Sequence, residues 1–199
     1  MLRVGKMAGL SSYKIAIMTE HEYYTINIAG IERHLRKMEV APGVKIAVLN
    51  ILGDTELVQA AARTLAPKLP KDAQYIVTAE AKSIPLAYAL SLESGLPYIV
   101  LRKSWKPYMG DVLTAETLSI TTNKPQTLFL DEKDRFEIRG KKVVLLDDVI
   151  STGSTLQGMR LIMQKAETEV VGEAAILTEG DRATWQNIIS LGHLPVFGI

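Results

Sequence analysis

Short apolar runs separated by amphipathic stretches dominate the chain after residue 42. Residues 44–49, 75–77, 98–101, 143–146 and 174–177 each read as a strand. Between them, Asp54 caps a predicted helix that runs to Ala66 and stops at Pro67. Residues 85–92 and 155–166 read as further helices. The second carries Leu156, Met159, Met163 and Ala166 on one face, at spacings of three and four. Residues 118–120 and 127–130 predict a hairpin. Runs that are apolar throughout fit strands buried on both faces, so the fold class is α/β, a parallel sheet with helices on either side. Upstream, residues 23–28 read as a strand and 31–40 are short and heavily charged. No repeat or linker divides the chain, which predicts one domain over 1–199 with an N-terminal segment, 1–40, ahead of a core, 41–199.

The chain has 199 residues, 47% hydrophobic and 23% charged, enough for a buried core. Twenty-three Lys and Arg against 22 Asp and Glu leave a net charge of +1, so no nucleic-acid partner is expected on charge grounds. Cysteine is absent, which excludes disulfides, thiolate metal sites and a cysteine nucleophile. No apolar run approaches the roughly 20 residues of a membrane span, and no signal-peptide core opens the chain. The expectation is a soluble, cytoplasmic protein without a membrane partner. His21, His34 and His193 lack metal-ligand spacing, and no Gly-x-Ser-x-Gly elbow marks a hydrolase.

The most informative stretch runs from Val143 to Thr155. Four apolar residues are followed by Asp147 and Asp148, then by the small, hydroxylated Ser151-Thr152-Gly153-Ser154-Thr155, which opens a helix. Backbone N–H groups at a helix start, with hydroxyls beside them, suit a phosphate. Adjacent carboxylates at an exposed strand end, as these are expected to be, can accept hydrogen bonds from vicinal sugar hydroxyls. The order is neither a Walker A loop nor a Gly-x-Gly-x-x-Gly turn. Ligands of open α/β sheets bind beyond the carboxyl ends of strands, so the turns after Val77, Leu101, Leu146 and Leu177 are where partners of this stretch belong.

This stretch closely resembles the phosphoribosyl-pyrophosphate (PRPP) motif of the type I phosphoribosyltransferases, and the likeness extends from about Pro42 to Leu177. Thr78-Ala79-Glu80-Ala81-Lys82 is similar to the pyrophosphate loop of the adenine and xanthine branch. Gly95-Leu96-Pro97-Tyr98-Ile99-Val100-Leu101-Arg102-Lys103 matches the same branch, where the basic pair opens a mobile loop. The resemblance implies a mostly parallel sheet flanked by helices, with residues 1–40 as a small hood. It implies transfer of phosphoribosyl from PRPP to a purine base, releasing pyrophosphate, and a homodimer. Asp147 and Asp148 would hold the ribose hydroxyls, and Ser151 to Thr155 the 5′-phosphate. Lys82, Arg102 and Lys103 would meet the pyrophosphate. Mg²⁺ would be bound mainly through the substrate, with Asp147 or Asp148 as its contact on the protein.

The likeness leaves the base open. Pro42-Gly43 is not followed by the Phe-x-Asp-Ile of the adenine enzymes, and residues 119–123 replace their Glu before Tyr-Gly. Thr178-Glu179-Gly180 stands where the xanthine enzymes carry a Lys that reads a purine oxygen. The candidate base readers are Leu49 and Asn50, through their backbone, and Glu179. An ionised Glu179 only accepts hydrogen bonds, so it suits an edge presenting N–H groups and penalises a bare carbonyl. Adenine is the first choice, with the 6-oxopurines guanine, hypoxanthine and xanthine as the alternative. A reading from another class is a PRPP-sensing regulator without catalytic activity. Trp105, Tyr108 and Met109, within the 103–117 loop, either pack on the body or form a lid.

Overall fold

The computed structural model describes residues 22–118 and 125–198. His21, the 119–123 stretch and the 118–120 arm of the predicted hairpin, apart from Leu118, lie outside the described residues. The elements in chain order are β1 (Tyr23–Ile28), β2 (Ile31–Ala41), β3 (Val44–Val48), α1 (Thr55–Leu65), β4 (Tyr75–Ala79), α2 (Ile84–Ser94) and β5 (Tyr98–Leu101). The hairpin β6 (Leu113–Leu118) and β7 (Pro125–Leu130) follows, then α3 (Glu132–Ile138), β8 (Lys142–Ile150) and α4 (Ser154–Lys165). The chain ends with β9 (Glu169–Glu179), β10 (Ile189–Leu194) and β11 (Phe197–Gly198).

Strands β10-β9-β8-β4-β5 form a parallel sheet in that order. Central β8 explains its unbroken apolar run. Val144 and Leu146 face α1 and α2, while Val143 and Leu145 face α4 and the β6–β7 hairpin, and all four are fully buried. Asp54 caps α1 by accepting from Leu57 N–H at 3.1 Å. Leu156, Met159, Met163 and Ala166 are buried along one line of α4 and the residue after it, as their spacing predicts.

Two expectations need correction. Residues 44–49 do not supply a strand of the parallel sheet: β3 pairs antiparallel with β2 and with β11. Only Pro42 and Gly43 separate β2 from β3, and a turn that tight returns the chain antiparallel, whereas a parallel pairing needs a long crossover. Gly43 takes φ +76°, a conformation glycine adopts at no steric cost. The antiparallel sheet β1-β2-β3-β11 thus runs on to Val48 and recruits the far end of the chain, where Phe197 packs edge-on against Tyr24. Ile28, Leu35 and Ala47 of this sheet join the core under α1 and α2, and Arg33 adds a polar anchor, donating to both Asp54 oxygens at 2.7 and 2.8 Å and to Glu56 at 2.8 Å.

The second correction concerns the hairpin. Its first arm begins at Leu113, inside the 103–117 segment expected to be a mobile loop. Ala115 turns inward and pairs with Leu128, both buried, which gives this arm a core face. Within the same segment Met109 is buried, while Trp105 and Tyr108 are exposed.

Candidate active site

The carboxyl ends of β4, β8 and β9 and the end of β3 surround one cleft of about 280 Å³. Its walls include Val48, Leu49, Lys82, Asp147, residues 151–155 and Glu179. A smaller adjoining cleft, about 200 Å³, is lined by Glu80, Lys82, Ser83, Lys103, Asp147 and Asp148.

Ser151 to Gly153 form the turn into α4, and Gly153 takes φ +76°. The turn is ordered by Thr152, whose hydroxyl lies 3.2 Å from Ser154 Oγ and accepts weakly from Ser154 N–H at 3.4 Å. The first N–H groups of α4 have no partner within the helix, and residues 151–155 line the cleft, as an anion site requires. Beneath it lies Trp185. Its indole N–H donates to the Glu179 carbonyl at 2.9 Å. Its ring lies so close to Gly153 that a Cβ there would stand 2.7 Å from Trp185 Cη2.

Asp147 and Asp148 were expected at an exposed strand end; the strand instead continues to Ile150 and encloses them. Asp148 is 7% exposed. β4 pairs with β8 only as far as Leu146, but β9 pairs with it as far as Ile150, so the acids are part of the sheet. Burial pushes the Asp147 carboxyl above the usual carboxylate range, the Asp148 charge adds to the rise, and a hydrogen bond from Ser83 opposes it. Asp148 Oδ2 is buried with no hydrogen-bond partner among the described residues, and Lys82 Nζ lies 3.5 Å away.

The loop after β4 brings Glu80 and Lys82 to the same end of the sheet. Thr78 is buried and donates to the Leu146 carbonyl at 2.8 Å, and Ala79 is buried beside it. The Glu80–Ala81 peptide is cis. Of the three predicted cations, Lys82 and Lys103 line the smaller cleft. Arg102 does not: its Nε donates to Glu80 Oε1 and its Nη1 to Tyr108 Oη at 3.1 Å. Glu80 also accepts from Lys103 N–H at 2.7 Å, so one carboxylate gathers the start of the 103–117 segment.

At the opposite end, Leu49 is buried in the wall. Asn50 is exposed and its side chain accepts from Leu52 N–H at 3.2 Å, which turns it to its own loop. Glu179 is 4% exposed; burial raises its carboxyl above the usual range and a hydrogen bond from Ser151 lowers it. Sequence reasoning missed Ser83, Val48 and Trp185. Ser83 reads as an ordinary helix cap, and Trp185 follows a run with no periodic signal. His34 and His193 bond to Thr25 and Thr178, each at 2.9 Å. Among the described residues no group of three or more His, Asp or Glu is placed to hold a metal ion.

Residues 47–188 match the phosphoribosyl transferase domain family. A relative, the hypoxanthine/guanine phosphoribosyltransferase of Methanococcus voltae, is 31% identical over 142 residues, covering 71% of this chain and 69% of that protein. The corresponding enzyme of Methanocaldococcus vulcanius is 33% identical over 106 residues, covering 53% and 54%. Among solved structures, adenine phosphoribosyltransferase from Thermoanaerobacter pseudethanolicus superposes with a TM-score of 0.65 at 20% identity, covering 80% of this chain and 95% of that one. The Saccharomyces cerevisiae adenine enzyme gives 0.59 at 18% identity, covering 91% and 99%. A parallel sheet whose central strand carries two acids and runs into a small hydroxylated turn, matched over most of its length by one family, leaves a single assignment: the chain belongs to the phosphoribosyltransferases and has their type I fold.

Proposed function

We propose that the protein transfers the phosphoribosyl group of PRPP to a purine base, with adenine preferred, giving a nucleoside monophosphate and pyrophosphate. The observation that carries this reading is the convergence on two adjoining clefts of Asp147 and Asp148, the 151–155 turn, Lys82 and an apolar wall ending in a buried carboxyl. Ribose hydroxyls donate to Asp147 and Asp148, while the 5′-phosphate accepts from the α4 N–H groups and the Thr152 and Thr155 hydroxyls. Lys82 and Lys103 face the leaving pyrophosphate and stabilise its growing charge as the anomeric carbon becomes cationic. The cleft walls keep water from the reacting carbon.

The donor set fits Mg²⁺ arriving with the substrate: Asp147 and Asp148, whose Oδ2 has no hydrogen-bond partner among the described residues, would hold it. When bound, it neutralises charge on the diphosphate.

Glu179 supports the choice of base. In its ionised form, which the Ser151 hydrogen bond favours and burial opposes, it accepts from the exocyclic amine of adenine and penalises a bare carbonyl. Guanine and hypoxanthine are the second reading, favoured by the 31% identity to the Methanococcus voltae enzyme named for those bases. The test is nucleotide formation from PRPP, Mg²⁺ and each of adenine, guanine, hypoxanthine, xanthine and uracil. Adenine should give the highest kcat/KM. Xanthine as the best substrate refutes the Glu179 argument, and no product from any base leaves a PRPP-binding regulator.

A further inference from the structure

We propose that Ser83 is a positioning residue for the acid pair, holding Asp147 and the Asp148 backbone in the geometry that receives a ribose diol. The inference rests on the phosphoribosyl reading of the cleft. Ser83 immediately precedes α2, where a serine hydroxyl ordinarily accepts from an N–H two or three residues on. Here it makes no such bond. Its backbone is helical, φ −79° and ψ −7°, rather than extended as a capping residue's is, and Pro85 removes one of the N–H groups a cap would serve.

The hydroxyl instead reaches across to β8. It donates to Asp147 Oδ1 at 2.7 Å and accepts from Asp148 N–H at 2.9 Å. Asp148 Oδ1 lies farther, at 3.3 Å, and a hydroxyl has a single proton, so Asp147 receives it. Asp148 N–H also bonds Asp147 Oδ1, at 2.9 Å. Both donors therefore fall on one oxygen, which fixes the carboxylate plane and leaves Oδ2 for a ligand. Ser83 is 1% exposed, so solvent cannot take over its role.

The neighbouring residue strengthens the case. Lys82 Nζ lies 3.5 Å from Asp148 Oδ2, so consecutive residues of the loop that would receive pyrophosphate each touch one of the acids. A serine serving only α2 has no reason to face them.

The test is calorimetric titration of the parent and Ser83→Ala with ribose 5-phosphate and, separately, with pyrophosphate in the absence of Mg²⁺. Neither ligand needs a base or turnover. Ribose 5-phosphate affinity should fall about tenfold to a hundredfold, the scale of a lost buried hydrogen bond to a charged group. Pyrophosphate affinity should stay within about threefold, because its cations are untouched. Ser83→Cys keeps a weaker donor of similar size and should lie between the two; it carries the comparison with the parent if the alanine variant does not fold. Unchanged ribose 5-phosphate affinity in either variant overturns the inference, and so does equal loss of both ligands, which marks a collapsed loop. A parent that binds no ribose 5-phosphate sinks the phosphoribosyl reading itself, and this inference with it.

Discussion

The two ends of the cleft are made by different means. At the phosphate end, one uninterrupted stretch from Asp147 to Thr155 supplies acids, turn and helix start, so its carboxylates, hydroxyls and backbone N–H groups come from neighbouring positions. The opposite end is assembled from β3, which belongs to the antiparallel sheet, and from the last residue of β9. It works through side chains: Val48 and Leu49 as an apolar wall, Glu179 as a buried acceptor. On the proposed reading, the first construction would recognise what every substrate of this chemistry shares, a phosphate and a ribose. The second would be free to vary, because Glu179 lies outside the 151–155 turn. Ser151, bonded to Glu179 from within the turn, and Trp185, between Glu179 and Gly153, are where the two ends meet.

Breaking the phosphate end should have the largest effect. Gly153→Val puts a branched side chain where the backbone has φ +76° and where a Cβ meets the Trp185 ring at 2.7 Å. PRPP affinity should drop roughly a hundredfold, as strain of a few kcal/mol dictates. Parent-like PRPP binding, measured by calorimetry, would remove the turn from the site. At the other end, Glu179→Gln replaces a pure acceptor by a group that both accepts and donates. The ratio of kcat/KM for adenine over hypoxanthine should fall by about tenfold, with the KM for PRPP little changed. Equal damage to both substrates would mean that the ends are not separable.

The same contrast explains what could be read from the chain. The phosphate end is local, so apolar run, acids, small hydroxylated turn and helical spacing appear in sequence order. The strands at 75–77, 98–101, 143–146 and 174–177 were legible for the same reason. The antiparallel sheet was not, because its order depends on Phe197 meeting β3 across the whole length of the chain. Residues 44–49 look like any other buried strand, and only the tight Pro42-Gly43 turn reveals their antiparallel direction. Asp147 and Asp148 were identified by type but misplaced in depth, since sequence does not show how far β9 pairs along β8. Arg102 was identified as a cation, but its partner Glu80 is 22 positions away in sequence. Ser83 stands at the position of a helix cap, and only its geometry separates that role from the one we propose.

Smaller effects sharpen the account. Burial raises the Asp147 pKa, so the folded protein keeps a proton there over a pH window in which the unfolded chain has lost it. Stability from this group is therefore present at low pH and falls as pH rises towards the raised value. Asp147→Asn removes that penalty: without ligand it should melt about 3 °C above the parent at pH 8. The gap should close as pH falls into the ordinary carboxylate range, while PRPP affinity is weakened throughout. Melting curves that stay parallel across pH contradict this. The smallest change is expected from Arg33→Ala, which cuts the polar anchor of the antiparallel sheet to α1. The anchor is partly exposed, so stability should fall by only about 1 kcal/mol in urea unfolding. The KM for the base should rise about threefold with the KM for PRPP constant, because Val48 and Leu49 are carried by that sheet. A larger effect on PRPP than on the base would break the division between the two ends.

A crystal structure of the protein with adenosine 5′-monophosphate tests the division most directly. The phosphate should lie within hydrogen-bond distance of the N–H groups of residues 152–155, the ribose hydroxyls on Asp147 and Asp148, and the adenine amine on Glu179. A phosphate bound elsewhere, or a base turned away from Glu179 with the phosphate in place, would contradict it.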